Sequence, residues 1–152
     1  MNVSEITKKY QALPPIKSIV NASTLNKKVF VSGLKGSSAS IVIGTVFLEG
    51  NKNMLVVLSD KEEAAYFYND LQTVVGDNLV EFLPSSYQRS IQYGRTEGAN
   101  ILLRTDVLNK ITNSPDKIAI VTYPEAIMEK VISPERLVSN TFTITLGDVL
   151  SM

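Results

Sequence analysis

Residues 32–40, SGLKGSSAS, stand where an apolar run gives way to a helical pattern, the place that a phosphate-binding loop occupies. The working pattern is G-x-x-x-x-G-K-[ST]: glycines for close backbone approach, lysine on the β/γ-phosphates, hydroxyl on magnesium. Counting from Gly33, the second glycine position holds Ser38, the lysine position Ala39 and the hydroxyl position Ser40. The magnesium hydroxyl is kept and the lysine is lost. Several charge-assisted bonds, each worth roughly 1.5–3 kcal/mol, go with it. Lys35 lies on the arm of the loop and is a poor substitute. Read from its residues, the segment is a strand-to-helix turn that bends at Gly33 and Gly36, with Ser37 capping the helix. Weak anion binding at the helix start is the alternative. A second constellation, Tyr87, Arg89, Tyr93 and Arg95, interleaves rings and guanidinium groups that could stack bases and hold phosphates, or serve as an exposed packing loop. Asp60, Glu62 and Glu63 read as a helix start rather than a catalytic acid pair.

Composition narrows the chemistry. The 152 residues include no Cys, His or Trp, so thiol nucleophiles, imidazole bases and nearly all zinc sites are excluded within this chain. The acidic residues show no calcium-loop spacing, and no metal site is expected. Fifteen basic residues balance fifteen acidic ones, which gives no global pull toward nucleic acid or membrane. With no apolar run near the ~18 residues of a membrane span and no leader-like N-terminus, the expectation is a soluble, cytoplasmic chain.

The elements that would position these residues alternate. Residues 3–24 read as short helices broken at Pro14-Pro15, and residues 27–34, KKVFVSGL, as a buried strand. A helix follows from Ser37 to about Leu48, then a strand in NMLVVLSD. Asp60 and Glu63 predict a capping box, and the next helix carries Ala64, Phe67, Tyr68, Leu71, Val74 and Val75 on one face before stopping at Gly76. NLVEFLP is a third strand, 85–97 a loop, 98–112 a helix and KIAIVT a fourth strand; Thr122 and Glu125 predict a second capping box, with Pro124 in the first turn. This alternation predicts an α/β fold with a parallel sheet covered on both faces. The last residues, NTFTITLGDVLSM, break the rhythm and suggest that a further domain begins near 141.

The runs VFVSGLKGSSAS, MLVVLSDKEEAAYFYNDL, EFLPSSY and IVTYPEAIMEKVISPERL, in this order and spacing from Val29 to Leu146, resemble the N-terminal part of the bacterial transcription-repair coupling factor family (Mfd). That part is similar to the excision-repair protein UvrB, whose loop keeps an intact G-x-T-G-S-G-K-T. Gly33, Gly36, Ser37 and Ser40 match the shared frame, whereas Ser38 and Ala39 match the coupling-factor side. The resemblance implies a three-layer, RecA-like P-loop NTPase topology with a degenerate nucleotide site. Residues 1–140 would be the first UvrB-like subdomain and 141–152 the truncated start of the next. It implies a non-catalytic scaffold and interaction module, with no cofactor in this chain, packed on neighbouring subdomains of the same protein. The full family protein is an ATP- and magnesium-driven DNA translocase whose partners are RNA polymerase, UvrA and duplex DNA. UvrB's DNA-clamping hairpin has no room between Pro84 and Tyr123, and no strand here ends in paired acids that would hold magnesium. The alternatives are a nucleotide-binding UvrB- or helicase-like enzyme domain and a DNA-contact module.

Overall fold

The computed structural model describes residues 3–25, 27–87 and 98–140. Among the described residues no helix is long and apolar enough to cross a membrane. Two prolines set the first break. Helix α1 (Val3–Gln11) ends before them, and α2 (Pro14–Thr24) begins on them, where a missing N–H removes no intrahelical bond. Helix α3 (Ser38–Glu49) follows the loop, and strand β1 (Met54–Val57) follows α3. Helix α4 (Lys61–Val75) starts at Asp60, whose carboxylate accepts the Glu63 N–H at 2.8 Å, and stops at Gly76, where φ is +105°. The reciprocal half of this box reaches one residue further back than predicted: Glu63 accepts from the N–H and hydroxyl of Ser59, not from Asp60. A 3-10 turn (Asp77–Leu79) leads into β2 (Val80–Phe82). Helices α5 (Gly98–Asn113), α6 (Pro124–Met128) and α7 (Pro134–Asn140) and strand β3 (Ala119–Thr122) complete the described chain.

The fold is α/β, with a small parallel sheet in the order β1-β3-β2. Strand β3 is central and its residues alternate between two cores. Ala119 and Val121 pack with Phe47 of α3, Ala64 and Leu71 of α4, Val56 and Val80. Ile118, just before β3, and Ile120 face the other way, onto Val107 of α5 and Leu83. On that second side Leu55 and Val57 of β1 remain exposed, so the cover is complete on one face and partial on the other. The predicted stripe of α4 holds, with Ala64 and Leu71 fully buried and Tyr66 turned outward.

Helix α3, which follows the loop, is held against its neighbours at its middle and at its C-terminal end. Gly44 lies so close to α4 that an added Cβ would meet Val74 Cγ1 at 2.6 Å, Val75 Cγ2 at 3.1 Å and Leu71 Cδ1 at 3.2 Å. At the C-terminal end, the ammonium of Lys117 donates to the carbonyls of Phe47 (2.8 Å), Leu48 (3.0 Å) and Gly50 (2.6 Å). Phe47 and Leu48 lie in the last turn of α3 and Gly50 is its C-cap, where intrahelical donors run out and the dipole is negative.

Three expectations are corrected. Residues 27–34 form no strand: Val29, Phe30 and Val31 are exposed, Phe30 at 92 %, and no described residue pairs with them. β-branched and aromatic residues suit a pleated surface, but a strand also needs a partner edge, and this run has none among the described residues. Thr122 does not cap α6. The N-cap position is Tyr123, without a side-chain bond, because Thr122 closes β3 and donates its hydroxyl to Leu83 O at 2.9 Å. Ser37 stands at the N-cap position of α3 with helical dihedrals and makes no side-chain cap bond. The predicted boundary near 141 and the residues after it lie outside the described residues.

Candidate functional site

The loop bends where expected. Gly33 and Gly36 have φ of +82° and +53°, left-handed conformations that a side chain disfavours. Between and after them, the polar groups satisfy one another. The Lys35 N–H donates to Ser38 Oγ at 2.7 Å, and the Ser38 hydroxyl lies 2.8 Å from Lys35 O. The Ser38 N–H donates to Lys35 O at 3.2 Å, and the Ala39 N–H to Gly36 O at 3.5 Å. The amides of Lys35, Ser38 and Ala39 are thus engaged within the turn, although the helix dipole still points its positive end there.

Ser40, at the magnesium position, is 1 % exposed. Its hydroxyl donates to Ser37 O at 2.9 Å and sits 3.5 Å from Asp70 Oδ2 on α4. A hydroxyl buried against its own helix and a neighbouring carboxylate reaches a metal only if α3 and α4 part. Ala39 supplies a methyl where the ammonium would be, and Lys35 lies on the exposed arm. Residues 35–40 thus form a turn whose hydroxyls bond within it or reach toward Asp70.

Beside the loop runs an apolar groove of about 730 Å³, lined by Ile19 of α2, by Val29, Val31 and Leu34, and by Val42 and Val46 of α3. The run predicted as a strand is one wall of this groove. Of the aromatic and arginine constellation, Tyr87 is half-buried and its N–H donates to Ser85 Oγ at 3.2 Å. Arg89, Tyr93 and Arg95 lie outside the described residues.

Sequence reasoning missed a polar cluster at the carboxyl ends of β2 and β3. Arg104, on the buried side of α5, is 6 % exposed and donates through Nη1 to Pro84 O (2.6 Å) and Ala126 O (3.1 Å). Glu129, just after α6, accepts from Ser85 Oγ (3.1 Å), Ser86 N (2.9 Å) and Ser86 Oγ. Burial alone would raise its pKa; the Ser86 hydroxyl and amide, Arg104 and Ser85 outweigh burial and hold it below the ordinary value. The hydroxyl of Tyr123 accepts the Ser85 N–H at 2.9 Å, and burial raises its pKa. A single arginine among the apolar residues of α5 was the one available signal.

No protein-family model, curated protein or solved structure matches this chain.

Proposed function

We propose that this chain is the first subdomain of the UvrB-like module of a bacterial transcription-repair coupling factor, acting there as a non-catalytic scaffold. Its fold would descend from the P-loop NTPase topology, with the phosphate loop retained as a turn and its chemistry lost. The observation that carries this reading is the internal use of the loop: Ser38 bonds back to Lys35, the Ala39 amide to Gly36, and the Ser40 hydroxyl to Ser37. The missing lysine at Ala39 points the same way. The groove walled by Val29, Val31 and Leu34 and the exposed Leu55 and Val57 are apolar surface suited to packing on neighbouring subdomains. In the whole cytoplasmic protein, separate motor domains would bind ATP and magnesium, move on duplex DNA and displace stalled RNA polymerase, and UvrA would be recruited elsewhere. This segment would serve as the packing platform and help hold the resting protein inactive.

The test uses the full-length protein. Ser40→Ala should leave ATP turnover and polymerase release within about twofold, less than half a kcal/mol of barrier. A loss of tenfold or more would mean that the loop takes part in catalysis and that the scaffold reading is wrong.

A further inference from the structure

The cluster of Ser85, Ser86, Arg104 and Glu129 lies apart from the loop, at a place where parallel sheets commonly hold ligands. Chain connections leave β2 and β3 toward opposite faces. The one after β2 leads to α5, whose Val107 packs with Ile118 and Ile120; the one after β3 leads to α6, whose Ala126 packs with Val121 on the other side. Neighbouring parallel strands whose outgoing connections diverge leave a crevice beyond their carboxyl ends. Pro84, Ser85 and Tyr123 stand just beyond the carboxyl ends of β2 and β3.

What fills it is a carboxylate in a cradle built for more oxygen than it has. Two oxygens of Glu129 accept three hydrogen bonds from Ser85 and Ser86. The guanidinium of Arg104 is fixed by its Nη1 on the carbonyls of Pro84 and Ala126, which leaves its Nε–Nη2 edge as the fork that usually takes an oxyanion side-on. Glu129 does not close that fork: Oε1 is 3.6 Å from Nε, an ion pair without a hydrogen bond, and Nη2 is buried with no hydrogen-bond partner among the described residues. A buried, charged donor left unpaired is costly and rare, and it marks the missing acceptor. The donors comprise two hydroxyls, one amide and two guanidinium nitrogens. A two-oxygen carboxylate satisfies three of them within hydrogen-bond distance, while a tetrahedral group with three or four oxygens could reach all of them.

We propose that Ser85, Ser86 and Arg104 form an oxyanion site at the carboxyl end of the sheet that takes a phosphate group, with Glu129 occupying it in the resting state. Phosphate and the Glu129 carboxylate are both anionic and share the same donors, so they exclude one another. Binding therefore releases Glu129, and with it the stretch that joins α6 to α7. The site is independent of the loop at 33–40 and of the scaffold reading.

Inorganic phosphate and a nucleoside monophosphate, each titrated against chloride at constant ionic strength, test this by amide NMR on the whole chain. In the wild type, the Ser86 amide should shift with phosphate and not with chloride. Glu129→Gln keeps the shape and removes the competing charge, and should bind about tenfold tighter or more. Adding Arg104→Lys, which keeps the charge and loses the fork, should abolish the gain. A shift with the inorganic ion alone would mean that the site excludes esters; a shift with both would admit them. A Ser86 amide that answers equally to chloride, or a folded Glu129→Gln no tighter than wild type, would overturn the proposal and leave the cluster a structural latch. If Glu129→Gln does not fold, the wild-type comparison of phosphate with chloride decides alone.

Discussion

Replacing Lys117 by Met should weaken the whole fold, because one ammonium closes the C-terminal end of α3 and ties it to the start of β3. Its three donors meet the carbonyls of Phe47, Leu48 and Gly50 at 2.8, 3.0 and 2.6 Å, and the charge lies 4.8 Å from the centre of the Phe47 ring. One hydrogen bond from a charged donor contributes about 1.5–3 kcal/mol, a cation at a helix C-terminus about 0.3–1 kcal/mol, and a cation over a ring about 0.5–1 kcal/mol at exposed sites, rising to about 2 kcal/mol when desolvated. These share one nitrogen and do not add. Lys117 is half-buried, so water takes over part of the carbonyl solvation in the variant. Met keeps the apolar stem, and the loss left over is about 2–4 kcal/mol. Urea unfolding followed by circular dichroism reads this directly if the slope against urea is unchanged. For a chain of this length, a loss of about 3 kcal/mol lowers Tm by roughly 6–12 °C. Lys117→Arg should recover less than half, because a planar fork does not point three donors at three converging carbonyls. A loss in Lys117→Met below about 0.5 kcal/mol, the level of an ordinary surface change, would refute the argument.

Three further outcomes follow from the packing and the charges. Gly44→Ala gains about 1 kcal/mol of helix propensity but drives a methyl to 2.6 Å from Val74, at an overpacking cost of about 1–3 kcal/mol; urea titration should show a net loss near 1 kcal/mol, and a stabilised variant would mean that α3 and α4 are less closely packed. Glu129 has its pKa lowered in the fold, so its stabilisation is complete above the ordinary value of 4.5 and is lost as pH falls through the lower folded value. The Arg104 guanidinium lies beside it, and Tyr123, whose pKa burial raises, stays neutral in that range. Stability should therefore fall with acid less steeply in Glu129→Gln than in wild type, and equal slopes would remove Glu129 from the acid response. On the proposed function, Ser40→Ala should leave the ATP turnover of a whole coupling factor within about twofold, and a tenfold loss would contradict it.

Local signals were legible and long-range ones were not. Pro14-Pro15, Asp60 with Glu63, and Gly76 mark helix ends through bonds and dihedrals within a few residues, and the structure places breaks at each. The parallel sheet could be read from alternation, but its order could not. Strand β3 sits between β1 and β2, a matter of which edges meet. The same gap explains KKVFVSGL, whose residues suit a strand while its hydrogen-bond partners are missing among the described residues. Thr122 misled because its hydroxyl had two uses open to it, and the carbonyl of Leu83, 39 positions away, won over the helix start. In the loop at 33–40, the absence of a lysine at position 39 was visible in the residues, whereas the bonding of Ser38 to Lys35 and the turning of Ser40 toward Asp70 were not. The cluster around Arg104 left almost no trace, since Glu129 meets Ser85 and Ser86 across 44 and 43 positions.

Calorimetric titration of the chain with Mg-ATP and with ADP decides whether residues 33–40 are, as proposed, a phosphate loop turned into a structural bend. A variant carrying Ala39→Lys and Ser38→Gly restores the missing cation and the missing close approach, and is titrated alongside. The account predicts no heat of binding from the native chain and measurable binding from the double variant. Micromolar binding by the native chain would contradict it, because the amides of Ser38 and Ala39 and the hydroxyl of Ser40 would then have to leave their partners within the turn to hold the nucleotide.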